Sequence, residues 1–131
     1  MFTKTLTIDT ARPRNLVDIT QQVSREISQS GIREGVCHLF VPHTTAGLTL
    51  NENCDPDVVT DMLDTLERLV PNRSDYRHAE GNSPAHVKTS LLGNQLTLLI
   101  AGGRPVLGTW QGVFLAEFDG PRTRKVLLQI P

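Results

Sequence analysis

Apolar and polar residues alternate along several short segments of the chain, which is the pattern of strands with one buried face. Residues 2–10 place Leu6 and Ile8 on one side and threonines on the other. The same reasoning, together with short apolar runs bounded by turn residues, predicts further strands over 35–41, 45–52, 95–100, 112–118 and 125–130.

Helical spacing of apolar residues predicts three helices between these strands. The first runs from Thr20, a capping residue, to Gly31, a residue suited to the left-handed end of a helix. The other two each begin with a capping side chain followed by proline. They start at Asp55-Pro56 and Ser83-Pro84 and end at Pro71 and Gly93.

Three helices and six or seven strands in mixed order predict an α+β fold with largely antiparallel, sandwich-like sheets. We predict a single domain over residues 1–131, a length that supports one core. The predicted strand 112–118 carries apolar residues on both faces. A small domain seldom covers both faces of a sheet alone, so we expect an oligomer.

Net charge and composition limit the classes of partner that we expect for this chain. The formal charge of −1 provides no general field for nucleic acid, and no apolar run reaches the length of a membrane span. The N-terminus lacks the apolar core of a signal peptide, and two distant cysteines argue against a disulfide framework. We therefore expect a cytoplasmic protein. The one locally basic segment, 122–125, is interpreted as a solvated edge.

Three of the four histidines fall in two polar segments, 43–55 and 78–88. His43, His78 and His86 form a candidate metal set, because neutral imidazole is a common zinc ligand. Glu52 and Glu80 are candidate general bases, and His86 is a further candidate for proton transfer. The alternative is that each histidine is a hydrogen-bonding loop or capping residue.

Phosphate-binding groups accompany the histidines. Thr44 and Thr45 offer hydroxyls at the end of a strand, and Lys88 offers a point charge near a helix N-terminus that follows Asn82. The structural alternatives are ordinary strand threonines and a surface lysine.

A loop carries the only tryptophan between glycines, which favours a ligand wall or a subunit contact. Trp110 and Gln111 in this loop are candidate substrate-binding residues, as is Asn51 beside Glu52.

The chain resembles the YjbQ-type family, known as secondary thiamine-phosphate synthases, over nearly its whole length. The resemblance rests on three motifs in order: 43–52 (HTTAGLTLNE), 76–88 (YRHAEGNSPAHVK), and 107–114 (LGTWQGVF) with 117–121 (EFDGP).

The resemblance implies a homotrimer with sites near subunit boundaries and a histidine-lined site that holds a metal or an anion. The implied reaction joins hydroxymethylpyrimidine diphosphate to thiazole phosphate and releases diphosphate. Such chemistry needs Mg²⁺ and cationic donors on the leaving group, with Glu52 or Asp55 expected to hold Mg²⁺ and Trp110 to stack on the pyrimidine.

Two other function classes stay open at this point. One is a metal-dependent hydrolase of a small anionic metabolite, with a histidine-bound water activated by a glutamate. The other is a trimer that binds a metabolite or metal without catalysis. In each case the expected partner is a small molecule, phosphorylated or otherwise anionic, and neither nucleic acid nor a membrane.

Overall fold

The computed structural model describes residues 1–131 and contains eight strands and three helices. In chain order these are β1 (Phe2–Asp9), β2 (Asn15–Asp18), α1 (Thr20–Ser30), β3 (Gly35–Phe40), β4 (Ala46–Glu52), α2 (Pro56–Leu69), α3 (Ser83–Leu92), β5 (Gln95–Ala101), β6 (Arg104–Pro105), β7 (Gln111–Glu117) and β8 (Thr123–Ile130). The predicted α+β class and the three helices are confirmed. The short strands β2 and β6 were not predicted.

The strands form two antiparallel sheets. One has the order β1-β8-β3-β5-β6 and the other the order β2-β7-β4. The larger core cluster, of 17 buried residues, contains inward-facing side chains from both sheets and from α1. Aliphatic side chains in period-two registers therefore join the two sheets into the predicted sandwich-like arrangement.

The expectation that β7 leaves an apolar face for a partner is wrong. β7 is the central strand of the smaller sheet, so Val113 and Leu115 enter the main core. Phe114 and Phe118 enter a second cluster, covered by residues of α2 and α3. Both faces are buried within one chain, because helices cover the side that the other sheet does not.

The local signals at the helix ends match the structure in part: α3 follows Asn82 without a side-chain cap hydrogen bond, so Ser83 is not the predicted cap. Asp55 accepts a hydrogen bond from the backbone N–H of Asp57 at 2.9 Å, so its carboxylate caps α2. Gly31 ends α1 in the left-handed conformation. At the start of α1, however, Asp18 takes the capping role assigned to Thr20 and accepts from the backbone N–H of Thr20.

A close backbone contact fixes α3 against the smaller sheet. The N–H of Leu48 in β4 donates to the carbonyl of Gly93 at the end of α3, at 3.0 Å. A Cβ at position 47 would collide with that same carbonyl oxygen, so only glycine allows this approach. The contact holds α3 beside the end of β4, where the histidine motifs meet.

None of the three helices is both long and apolar enough to cross a membrane.

Candidate functional site

The two histidine-bearing segments meet in a groove on the surface. His43, His78 and His86 line one cavity of about 410 Å³. A neighbouring cavity of about 450 Å³ shares His43, Thr44 and His86 with the first and extends along α3 to Thr89. We call the two cavities together the histidine groove. The sequence prediction that these three histidines lie together is therefore reproduced by the fold.

The protonation of His43 is set by the backbone of β8. The ladder between β3 and β8 covers His38 to Phe40, and beyond it the Nε2 atom of His43 accepts the backbone N–H of Lys125 at 2.9 Å. Burial and the nearby charge of Arg124 lower the pKa of His43, although Glu117 opposes them. His43 is thus a neutral imidazole whose proton sits on Nδ1, ready to donate to a ligand.

A buried ion pair forms the floor beneath His43. Arg124 and Glu117 are 3% and 0% exposed, and the guanidinium donates from Nε and Nη2 to the two carboxylate oxygens. Burial raises the pKa of Glu117, but hydrogen bonds from Arg124, Thr10 and the backbone of Asp119 more than offset it, so the pKa lies below its usual value.

Thr45 belongs to this floor as well as to the groove wall. Its hydroxyl accepts from Arg124 at 2.9 Å, and its side chain is buried. Its main role in the chain is therefore to hold Arg124. Thr44 is exposed in the groove and is the freer of the two hydroxyls predicted to bind substrate.

Only two buried side-chain polar atoms in the chain lack a hydrogen-bond partner, and both belong to residues of this groove. Asn82 donates from Nδ2 to Asp119 at 2.9 Å, while its Oδ1 is left without a donor. Thr89 has an unpaired Oγ1 in the wall of the adjoining cavity. Each atom exposes less than 1 Å², so it is costly to leave unpaired, and a ligand in the groove would reach it only after a local shift of the wall.

The remaining charged groups surround the mouth of the groove. Arg122 is half exposed and donates to the backbone and carboxylate of Asp119, which leaves further N–H groups of the guanidinium available. The rings of His78 and His86 meet edge to face, 5.4 Å apart. Oε2 of Glu80 lies 3.9 Å from Nε2 of His78, close enough to orient the ring or to receive a proton from it through water.

The groups in the groove do not fit the predicted three-histidine zinc site. No cluster of three His, Cys, Asp or Glu side chains in the chain is arranged to hold a metal ion. A metal needs a ring lone pair, but the Nε2 lone pair of His43 faces the N–H of Lys125 and its Nδ1 carries the proton. His43 suits an anion better than a cation.

Four of the predicted site residues lie outside the histidine groove, at the other end of the smaller sheet. Glu52 pairs with Gln111 at one end of the β4–β7 ladder, whereas Ala46 pairs with Glu117 at the end beside the histidines. Six residues of strand separate the two ends, roughly 20 Å. Asn51 and Trp110 accompany Glu52 at the far end, where Asn53 donates to the backbone of Trp110. Within one chain these residues do not join the histidine groove.

Lys88 is also separate from the groove. Its side chain is buried, pairs with Glu67 and lies over the ring of Phe118, with Nζ 5.7 Å from the ring centroid. Burial and the charge of Arg14 lower the pKa of this lysine. It faces a smaller cavity of about 180 Å³ on the other side of Asn82. Its ammonium thus stabilises the contact between α2 and α3.

Sequence reasoning missed two arginines and two acids at the groove: Arg122, Arg124, Glu117 and Asp119. Segment 122–125 is not a solvated edge, since Arg124 is buried and Arg122 lines the groove. A signal was present in the alternation, because Arg124 is in phase with the inward-facing Val126 and Leu128. An arginine in a buried register needs a carboxylate partner, which is Glu117.

The sequence and fold agree with those of one family. The sequence model described as UPF0047 protein YjbQ-like matches residues 4–131 of the chain. The chain belongs to this UPF0047 family. Two curated members illustrate the distance. UPF0047 protein MJ1081 of Methanocaldococcus jannaschii is 49% identical over 94% of this chain and 89% of its own length. UPF0047 protein YugU of Bacillus subtilis is 44% identical over 97% of each chain.

Solved UPF0047 structures have the same architecture. A YjbQ/UPF0047 family protein of Clostridium acetobutylicum superposes with a TM-score of 0.95 at 45% identity and covers 98% of this chain and 99% of its own. The conserved hypothetical protein TT1486 of Thermus thermophilus has a TM-score of 0.91 at 46% identity, with 98% and 99% covered. These similarities specify the family and the fold, and their names specify no reaction.

Proposed function

We propose that the histidine groove binds phosphorylated small molecules and catalyses a diphosphate-releasing transfer. The substrates are those implied by the family resemblance, hydroxymethylpyrimidine diphosphate and thiazole phosphate. The observation that carries the proposal is the convergence of the three histidines with the hydroxyl of Thr44 and the guanidinium of Arg122 in one cavity.

The groove offers donors for phosphate oxygens. His43 presents an Nδ1–H, Thr44 a hydroxyl and Arg122 its remaining guanidinium N–H groups. Such charge-assisted and neutral donors stabilise the negative charge that grows on a departing diphosphate. Because His43 is held in place by Lys125, its donor needs little reorganisation during the reaction.

The orphaned groups suit the uncharged part of a substrate. Oδ1 of Asn82 can only accept, so, once a local shift exposes it, it would pair with an N–H or O–H donor of the kind a pyrimidine or an alcohol carries. His78 and His86 are the candidate proton carriers, with Glu80 beside His78. Two connected cavities leave room for two substrates side by side.

Mg²⁺ would neutralise part of the diphosphate charge. One or two carboxylates together with substrate phosphates commonly suffice to hold this ion. Glu80 and Asp119 line the groove and are the carboxylates suited to that role, in place of Glu52 and Asp55.

We further propose that the chain assembles as a homotrimer, as the resemblance implies. The outer face of the five-stranded sheet is the surface we assign to subunit contact. Three apolar side chains on neighbouring strands are exposed there: Phe40 at 41%, Leu99 at 59% and Leu127 at 37%. Phe40 lies directly opposite Leu127 in the ladder, so these two side chains form one patch. Leu99 lies on the same face, opposite Val36 and therefore four residues along β3 from Phe40.

The test is thiamine phosphate formation by purified protein from a host without the dedicated synthase. We expect product that requires Mg²⁺, and a loss of at least about 100-fold in kcat for His86→Gln, the size of a general acid–base contribution. Glu52→Gln is expected to retain activity, because Glu52 lies at the far end of β4.

Other outcomes would redirect the assignment. No product from the wild-type protein would refute the transfer. Hydrolysis of simple phosphoesters would then favour the hydrolase, and retention of phosphate compounds without turnover would favour a binding protein. Loss of activity in Glu52→Gln with His86→Gln unaffected would place the reaction away from the histidine groove.

A further inference from the structure

A second polar cavity lies at the opposite end of β3 from the histidine groove. It has a volume of about 600 Å³, the largest of the chain. Its walls come from α1, the turn between α1 and β3, and the β5–β6 hairpin. β3 begins at Gly35 near this cavity and ends at Phe40 before His43, so the two sites are roughly 20 Å apart.

Three arginines converge on this cavity without partners. Arg25, Arg33 and Arg104 all line it, and none of their guanidinium groups makes an ion pair or a hydrogen bond within the chain. No aspartate or glutamate lines the cavity. Glu34, which follows Arg33 but does not line the cavity, already accepts the backbone N–H of Gly102 at 3.2 Å. The cavity is therefore a local excess of positive charge on a chain of net charge −1.

Neutral donors complete the lining. Ser24 and Ser28 lie four residues apart, so both face the cavity from α1, and Gln21 lies one turn before them. Their side chains make no hydrogen bond within the chain. The hairpin opposite is built from Gly102 and Gly103, both with positive φ, and the guanidinium of Arg33 lies within 3.6 Å of the point where a Cβ of Gly103 would sit. The positive φ of both residues favours glycine, whereas a Cβ at position 103 would be in ordinary contact with Arg33.

We propose that this arginine cavity is a second ligand site, which binds the phosphate or diphosphate group of a small metabolite. Guanidinium groups match phosphate oxygens with paired hydrogen bonds, and hydroxyl and amide donors can fill the remaining positions. The volume lies within the range of small-molecule sites. Ile32 and Leu107 provide a limited apolar wall for the body of the ligand. This site does not depend on the function proposed for the histidine groove.

One alternative use of the arginines is local. The carbonyl end of α1 carries a partial negative charge, which nearby cations stabilise. That role is satisfied by one side chain close to the last turn, however, and Arg104 comes from the hairpin of the other wall. An open cavity with three unpaired guanidinium groups is more than the helix end requires.

The test is a titration of the full-length, ¹⁵N-labelled protein with inorganic pyrophosphate, followed through individual amide signals. In the wild type we expect saturable shifts at Gly102, Gly103 and Arg33. The triple variant R25Q/R33Q/R104Q should bind at these positions at least about tenfold more weakly. The charge-matched control K4Q/R12Q/R68Q removes three exposed cations outside the cavity and should stay within about threefold of the wild type.

The signals separate the two sites. Shifts at Thr44 and His86 report on the histidine groove, and they should persist in the triple variant. Wild-type signals at Gly102 and Gly103 that do not respond, or equal weakening in the control variant, would overturn the proposal. If the triple variant loses the dispersed spectrum of a folded protein, the single variants R25Q and R104Q repeat the measurement, and unchanged affinity in both would also overturn it.

Discussion

At the scale of single residues, His43 and Arg124 show how a strand ladder decides the chemistry of a side chain. Nε2 of His43 accepts the backbone N–H of Lys125, which lies beyond the last residue pair of the β3–β8 ladder. This hydrogen bond fixes the ring proton on Nδ1. The sequence identified His43 as a site residue, but neither its tautomer nor its partner follows from motif spacing. The charges of segment 122–125 favour a solvated edge, whereas the alternation of β8 places Arg124 on its inward-facing side.

The buried Arg124–Glu117 pair leads to a prediction on stability. Glu117→Gln leaves a buried guanidinium without its carboxylate, so we expect the free energy of unfolding to fall by about 3 kcal/mol or more. Urea unfolding followed by circular dichroism measures the change. Asp64→Asn, an exposed carboxylate without a partner on α2, should stay within about 0.5 kcal/mol of the wild type.

The same pair fixes a pH dependence. The pKa of Glu117 is lowered on folding, so its stabilisation is present above the unfolded value of about 4.3 and is lost as the pH falls through the folded value. The difference between wild type and Glu117→Gln should therefore shrink below about pH 4. A difference that is constant or grows in acid would contradict the role assigned to the ionised pair.

At the scale of elements, the helices and most strands could be predicted because their signals are local. Capping residues, prolines and apolar periodicity lie within each segment, and Asp55 performs the predicted task. β2 and β6, of 4 and 2 residues, are too short for a periodic pattern. The two-faced burial of β7 depends on which elements pack against it, and that is a property of the fold rather than of the segment.

The contact between β4 and α3 leads to a second prediction. Gly47→Ala places a methyl group against the carbonyl of Gly93, and a backbone atom cannot move aside as a side chain can. We expect the free energy of unfolding to fall by an amount at the upper end of about 1–3 kcal/mol. We also expect α3, which carries His86 and Thr89, to shift. Thermal unfolding of Gly47→Ala measures the loss.

The matched control for Gly47 is Gly108→Ala. Gly108 has no positive φ. The atom closest to the Cβ that alanine would add is Oε1 of the flexible Gln111 side chain, at 3.4 Å. The free energy of unfolding of Gly108→Ala should differ from that of the wild type by no more than about 1 kcal/mol. Equal effects at the two glycines would mean that the approach of α3 to β4 is not tight.

At the scale of the whole molecule, the predicted site divides into two regions. The fold brings together His43, His78, His86, Asn82 and Thr44, as expected from two motifs, and leaves Glu52, Asn51, Trp110 and Gln111 at the other end of the smaller sheet. Motifs identify the residues that matter but not which of them meet, because strand length and direction set the distances.

The proposed trimer is tested by light scattering on size-fractionated protein. We expect three times the 14.5 kDa of one chain. Leu99→Lys puts a charge on the outer face of the five-stranded sheet, the proposed contact surface, and should give monomers. Leu69→Lys changes an exposed leucine on α2, 68% exposed against 59% for Leu99, and should remain trimeric. A monomeric wild type would refute the assembly, and dissociation by Leu69→Lys alone would assign it to another surface.

The most direct test of the histidine groove is a crystal structure of the protein soaked with inorganic pyrophosphate, with anomalous data collected to locate metals. Our account predicts a diphosphate in the groove with oxygens within hydrogen-bond reach of Nδ1 of His43 and the guanidinium of Arg122, while Nε2 of His43 still accepts from Lys125. A transition metal bound by the rings of His43, His78 and His86, with His43 turned away from Lys125, would contradict it.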